Sequence, residues 1–452
     1  MSKKFILLFI SINCLLTGFY VDTWDNGNST SRMLSVMCAV QSGSLQIDAQ
    51  QERTIDKSFI NGHYYSDKAP LPTFLVIPVY KLFTLCGYEE DGEGTLIYIL
   101  GDIICGMIPF ILILYLSLRA AFRQRLLSAV YLTMLPLYGS FIFIYAGSFY
   151  NHLLSALFLL LAYLFLKKEK HFMAGLFIGF GFMSEFIIAL IILLWGILLL
   201  IKTRSVKNFF LYSLGTLPSV FTILIYNFFL TGSPFTMVYK FHHFEQMNSS
   251  YGFAHPSASA LWGITFSQYK GLFFYAPFLL FCLYYFIKEL LQLRMINAAK
   301  QLLNYPVIAS VGIVLALSSY FSWWGGWVYG PRLVTFLAVL LSYKGIEFIR
   351  DKKIWVPLFY LLVLFGCLCA FSAKITVLYS IPSEIKYPFN ETILPAIFHS
   401  NFNANNIATI CFGLSPISAA VLWVFLFAAG AYVLNKNLSS LSEKKEEGAV
   451  ST

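Results

Sequence analysis

Apolar runs recur along the whole chain and are separated by short clusters of basic residues. Uncharged runs of this length predict transmembrane helices, and basic clusters mark their cytoplasmic ends. Placing every cluster inside predicts about twelve spans with both termini in the cytoplasm. Ten of these spans are expected at roughly 5–21, 95–116, 127–145, 151–166, 208–230, 272–288, 304–321, 332–348, 354–373 and 410–434.

The other two spans share the run between Lys170 and Lys202, HFMAGLFIGFGFMSEFIIALIILLWGILLLI. Two crossings there need half-length helices of about 15 residues, each about 22 Å long. They would meet near Ser184 and Glu185. A carboxylate among apolar residues is costly unless it lines a cavity, so Glu185 is expected to have a structural or cavity-lining role.

The fold class predicted is therefore an all-α polytopic membrane protein. We expect a single transmembrane domain over 1–434, with outer loops at roughly 22–94, 231–270 and 374–409, and a disordered cytoplasmic tail over 435–452. The first outer loop is far longer than a connection requires. Within it, SRMLSVMCAVQSGSL has the spacing of an interfacial amphipathic helix that ends at Gly43.

Composition agrees with this prediction. Of 452 residues, 58% are hydrophobic and only 12% are charged, which excludes an ordinary soluble protein. The net charge of +9 comes from the cytoplasmic clusters, so nucleic acid is not expected as a partner. The cysteines lack metal-ligand spacing, and His242 and His243 are adjacent, so no metal is assigned.

Unusual polar residues concentrate on the predicted outer side. Any single one could be an ordinary solvated loop charge, and Trp and Tyr at an interface are common belt residues. His152, at the start of a span, could be an interfacial anchor. Arg332 in SWWGGWVYGPR, however, is an outer arginine at headgroup depth, where it is suited to binding a phosphate.

Taken together, the long first outer loop, GHYYSDKAP, the hairpin ending in GSFYNH, the half-length pair and WWGGWVYGPR resemble the GT-C superfamily of membrane glycosyltransferases. The resemblance covers roughly residues 5–350 and is closest to bacterial relatives of the protein O-mannosyltransferases and of the lipid A aminoarabinose transferase.

This resemblance implies an inverting transfer of a sugar from a polyprenyl-phosphate donor to a lipid, glycan or protein of the envelope. The expected place is the outer face of a bacterial cytoplasmic membrane. A first-loop Asp would be the general base, and Lys68 and Arg332 would bind the donor phosphate. Asp67, Tyr65, His152 and Glu185 would line the cavity or orient the substrate. No cofactor is implied, and dependence on a divalent metal is left open.

The chain also departs from the family pattern. Relatives carry an acidic pair before an arginine after the first span, whereas this chain has NSTSR, and Leu71 follows Pro70 where Gly is usual. The base is therefore expected to be Asp48, then Asp56, with Asp25 upstream as a further candidate. A catalytically impaired member, a transporter or lipid flippase, and a non-enzymatic assembly protein stay open as alternatives.

Overall fold

The structure is a computed structural model that describes residues 1–20, 26–122, 127–242, 244–350 and 352–450. Its α-helices are α1 Lys3–Gly18, α2 Gly27–Gln41, α3 Leu71–Leu85, α4 Thr95–Gly101, α5 Ile108–Ala121, α6 Ala129–Tyr138, α7 Phe141–Ile144, α8 His152–Lys167, α9 His171–Ser184, α10 Ile188–Thr203, α11 Val206–Thr231, α12 Glu245–Ser250, α13 Ala258–Thr265, α14 Leu272–Tyr275, α15 Phe278–Gln292, α16 Met295–Leu302, α17 Tyr305–Ser318, α18 Thr335–Ile349, α19 Val356–Ile375, α20 Leu394–Phe398, α21 Ile407–Phe412 and α22 Pro416–Val450. The strands are β1 Lys57–Ile60 and β2 His63–Ser66.

Among the described residues, four helical stretches are long and apolar enough to cross a membrane, and the pair α16–α17, bent by 66°, would add a fifth. The four are Thr95–Ala121, Val206–Thr231, Val356–Ile375 and Pro416–Ser440. Shorter apolar helices, among them α8, α9 and α10, accompany them. The all-α polytopic fold class is confirmed, whereas the number of twelve spans stays a prediction.

The predicted half-length pair is present. α9 ends at Ser184, and Glu185 has an extended backbone (φ −153°, ψ 109°) before α10 begins. α9 packs closely on α11, because a Cβ on Gly175 would lie 1.9 Å from the carbonyl oxygen of Tyr212. Small residues permit such close helix contacts in membrane proteins.

Two segments differ from the expectation. α3 is a 15-residue apolar helix inside the region predicted as an outer loop. Pro72 lies in its first turn, where a proline costs no hydrogen bond, so the prolines start this helix rather than stop one. α22 continues to Val450 as helix, into the segment for which the sequence predicts a disordered tail, where Leu, Lys and Glu favour helix.

α2 confirms the predicted helix in the first outer loop, and protein covers more of it than an interfacial position requires. Its residues from Asn28 to Met37 are all buried. α2 packs against α3, α4 and β2, so protein covers it on several sides. The hairpin of β1 and β2 lies beside it and carries the polar residues described next.

Candidate functional site

The hairpin brings two distant carboxylates together. Asn61 and Gly62 form its two-residue turn with φ of 52° and 89°. Asn-Gly is the dipeptide preferred in such turns, because both residues need a positive φ. In the resulting register Lys57 pairs with Ser66. The next position along the same register sets Asp56 opposite Asp67, at the open base of the hairpin.

The base of the hairpin is fixed to α2 through Ser31. Its hydroxyl donates to the carbonyl oxygen of Asp56 at 2.6 Å and contacts the Ser66 hydroxyl, also at 2.6 Å. α2 itself is capped by Asn26, whose side chain accepts a hydrogen bond from the Ser29 amide at 2.9 Å. One buried serine on a capped helix therefore holds both strands where the carboxylates lie.

Lys68 lies between these carboxylates. Its Nζ is 2.8 Å from Asp56 Oδ2 and 3.1 Å from both carboxylate oxygens of Asp67. The exposed fractions of the side chains are 11% for Lys68, 3% for Asp67 and 22% for Asp56. This is a buried ionic group with two acids and one base, and Asp56 is the acid that solvent reaches.

The two acids differ in how readily they take up a proton. Burial, together with the charge of Asp56, raises the pKa of Asp67 to about 6, although Lys68 opposes the shift. Burial also acts to raise the pKa of Asp56, but the Lys68 ammonium outweighs it, aided by Arg332 and His242, and holds that pKa below its usual value. Asp56 is therefore ionised at neutral pH, and Asp67 is the first of the pair to take a proton.

His242 closes one side of the group. Its segment pairs with β1 at Ser58, and its Nε2 lies 3.6 Å from Asp67 Oδ2. The Phe244 amide donates to His242 Nδ1 at 3.2 Å, which leaves the proton of the neutral ring on Nε2.

Asp56, Asp67 and His242 could hold a metal ion, since one ligand atom from each lies within 4.8 Å of the others. The sequence did not predict this grouping. In the arrangement seen, however, the Lys68 ammonium already contacts both carboxylates, and a protonated Nε2 cannot ligate a metal. The donor set as it stands fits an ammonium better than a divalent ion.

Two arginines lie near this group without a carboxylate contact among the described residues. Arg32 is buried on α2 and donates to the side-chain oxygens of Asn28 and Asn151, the latter at 2.9 Å, and to the backbone carbonyl oxygen of Asn28 at 3.2 Å. The Arg332 guanidinium lies 5.5 Å from the ring centre of Tyr150, and its Nε has no hydrogen-bond partner. Arginines that lack a counter-charge are suited to binding an anion.

His152 and Glu185 form a second buried pair. His152 Nδ1 is 3.4 Å from Glu185 Oε1, and the Ser155 hydroxyl donates to Glu185 Oε2 at 2.8 Å. Both side chains are less than a tenth exposed. The Glu185 carboxylate, at the break between α9 and α10, therefore lies against the first turn of α8.

The other two predicted site residues described by the structure lie away from Lys68. Asp48 Oδ2 contacts His63 Nδ1 at 2.7 Å, and Asp48 Oδ1 accepts from the Tyr64 amide at 2.6 Å. Tyr65 pairs with Ser58 in the hairpin and its hydroxyl accepts from Gln46 at 3.3 Å. No hydrogen bond or ion pair among the described residues joins Asp48 to the Lys68 group. Asp25 lies outside the described residues.

No protein-family model matches the chain, and no curated protein matches it either. Among solved structures, ArnT from Cupriavidus metallidurans in the apo state is similar with a TM-score of 0.48 and 12% identity, over 96% of this chain and 76% of ArnT. The archaeal oligosaccharyltransferase AglB from Archaeoglobus fulgidus, in complex with an inhibitory peptide and a dolichol-phosphate, is similar with a TM-score of 0.43 and 14% identity. That match spans 97% of this chain but 55% of AglB.

Proposed function

We propose that this chain is an integral membrane glycosyltransferase that moves a sugar from a polyprenyl-phosphate donor to an envelope glycan, lipid or protein. The reaction would take place on the outer face of a bacterial inner membrane. The observation that carries this proposal is the buried group at the base of the hairpin, where an ionised Asp56 adjoins Lys68 and lies within the field of Arg332.

Asp56 is the preferred base. It is ionised at neutral pH and keeps 22% of its side chain exposed, so an acceptor hydroxyl can reach it. Asp48, by contrast, lies in an exposed pair with His63 and contacts no cation of the proposed donor site. Asp67 is the more buried acid and orients Lys68.

In the proposed step, the acceptor hydroxyl gives its proton to Asp56 while its oxygen forms a bond to the anomeric carbon. The bond between that carbon and the donor phosphate oxygen breaks, and its electron pair leaves with the polyprenyl phosphate. Attack opposite the leaving group inverts the anomeric centre. Lys68 and Arg332 stabilise the charge that develops on the phosphate.

The test uses the full chain in lipid nanodiscs with polyprenyl phosphates that carry a labelled hexose or pentose, and envelope extract as the acceptor. The expected result is transfer of label with release of polyprenyl phosphate, lost in Asp56→Asn and kept in Asp48→Asn. Absence of transfer from every donor by the wild type, or full activity of Asp56→Asn, would contradict the proposal. Parallel reactions with EDTA and with added Mn²⁺ show whether a metal takes part.

A further inference from the structure

A continuous line of contacts runs from the break between α9 and α10 to Arg332. It begins at Glu185, whose carboxylate accepts from Ser155 at 2.8 Å and faces His152 Nδ1 at 3.4 Å. The single Ser155 hydroxyl proton can instead be donated to the carbonyl oxygen of His152 at 3.0 Å, one turn earlier in α8, so the hydroxyl lies between the two acceptors. These three residues form a closed unit that fixes the plane of the imidazole ring.

The next contact is aromatic. The His152 ring stacks on Tyr150, with 5.7 Å between ring centres and 28° between the planes. The Tyr145 ring is edge-on to the His152 ring, with 5.6 Å between ring centres, and tilted against the Tyr150 ring, with 5.5 Å between centres. All three side chains are buried, so the His152 ring bears on the orientation of the Tyr150 ring, which also packs edge-on against Tyr379 at 5.2 Å.

Tyr150 in turn supports Arg332. The guanidinium lies 5.5 Å from the centre of its ring, within the range of a cation–π contact. An arginine side chain loses rotamer freedom when a ligand fixes it, and a planar support removes part of that freedom before the ligand binds. Arg332 contacts no carboxylate among the described residues, so this ring is one of the contacts that constrain the orientation of its guanidinium.

A merely structural role for Glu185 is the simplest alternative, with the carboxylate closing the break between α9 and α10. Burial of a carboxylate is nevertheless expensive, and apolar residues of similar volume would close the break at lower cost.

We propose that Ser155, Glu185 and His152 are positioning residues that set the orientation of Arg332 toward the donor phosphate through the ring of Tyr150. This inference rests on the function proposed above, since it takes Arg332 as a phosphate ligand. It predicts that Glu185 affects phosphate binding only while Arg332 is present.

A double-mutant cycle tests this coupling, with farnesyl phosphate as the probe and its Kd measured on the full chain in nanodiscs. Arg332→Ala is expected to weaken binding about tenfold or more, and Glu185→Gln about tenfold in the wild-type background. In the Arg332→Ala background, Glu185→Gln should change the Kd less than about twofold. Additive losses would overturn the inference.

The matched control is His171→Gln, which changes another buried histidine at the opposite end of α9. It should leave the Kd unchanged in both backgrounds. If Glu185→Gln does not fold, Ser155→Ala replaces it in the cycle, since it removes one hydrogen bond from the same carboxylate. A wild type that fails to bind farnesyl phosphate would overturn the proposed function itself, whereas binding without coupling overturns only the positioning role.

Discussion

The two ends of one hairpin carry acid–base contacts of similar length and different character. Beside the turn, Asp48 and His63 lie 2.7 Å apart with 42% and 46% of their side chains exposed. At the base, Asp56 and Lys68 lie 2.8 Å apart with 22% and 11% exposed. Exposed ion pairs contribute about 0–1 kcal/mol to stability, whereas breaking a buried pair costs about 3–5 kcal/mol. Contact distance does not distinguish these pairs, but burial does.

The difference also decides which end is suited to chemistry. A base beside a buried cation acts in surroundings where water screens charge weakly, so its field on a substrate is stronger. The exposed pair beside the turn acts in water and near mobile ions. We therefore place catalysis at the base of the hairpin and treat the Asp48–His63 pair as part of its outer surface.

The largest expected effect is on the rate of sugar transfer, and it tests the assignment of Asp56 as the base. Asp56→Asn should lower sugar transfer by about 10² to 10⁴, because the amide cannot accept the proton of the acceptor. Asp48→Asn should retain transfer within about twofold, since an exposed pair contributes little. The rate of label transfer from a polyprenyl-phosphate sugar measures both. A large loss in Asp48→Asn with a small one in Asp56→Asn would reverse the assignment.

The second prediction concerns a substitution in the hairpin turn, which sets the pairing of the two strands. Gly62 has φ of +89°, and a valine there costs about 1–2 kcal/mol or shifts the register of the strands. A shifted register separates Asp56 from Asp67, so Gly62→Val should lower transfer about tenfold or more.

Gly87→Val is the matched control for this variant. Gly87 has φ of +93°, and, as at Gly62, an added Cβ would meet nothing within 4 Å. It lies just beyond α3 and outside the hairpin. Its valine variant should carry similar backbone strain and keep its transfer rate. Equal losses in the two variants would show that strain, and not register, is the cause.

The third prediction concerns pH and Asp67. Its pKa is raised to about 6 in the folded chain from an ordinary value of 3.8. The folded state therefore holds a proton that the unfolded state loses, and the stability from Asp67 falls as pH rises from about 4 to about 6. Asp67→Asn removes this dependence. The melting temperature of the variant minus that of the wild type, measured in detergent, should increase between pH 4 and pH 7. A constant difference would contradict the raised pKa.

Much of the fold could be predicted because membrane burial leaves a strong signal. Long uncharged runs predicted the helical class, and the run around Glu185 predicted a break that the structure confirms at the end of α9. α3 was missed because its apolar residues follow SDKAP directly, inside the region assigned to the first outer loop. Pro72 is compatible with a helix there, since a proline in the first turn costs no hydrogen bond.

The site was less predictable, because its geometry depends on one turn. Asn61 and Gly62 between residues of alternating character are a strong hairpin signal. Counting pairs back from that turn would have set Asp56 opposite Asp67 and favoured Asp56 over Asp48. The approach of His242 could not be found this way, since it comes from a segment about 180 residues later whose pairing with Ser58 is tertiary.

The smallest expected effect is the change in the free energy of unfolding when the Asp48–His63 pair beside the turn is broken. His63→Gln removes the partner of Asp48 but leaves the hydrogen bond from the Tyr64 amide at 2.6 Å. Because the pair is exposed, the free energy of unfolding should change by less than about 1 kcal/mol. Thermal unfolding of the two proteins in the same detergent, at low and high salt, measures this change. A drop of several degrees in melting temperature that is insensitive to salt would show that the pair is shielded from water, for example by a bound acceptor or a partner protein. The contrast between the two ends of the hairpin would then fail.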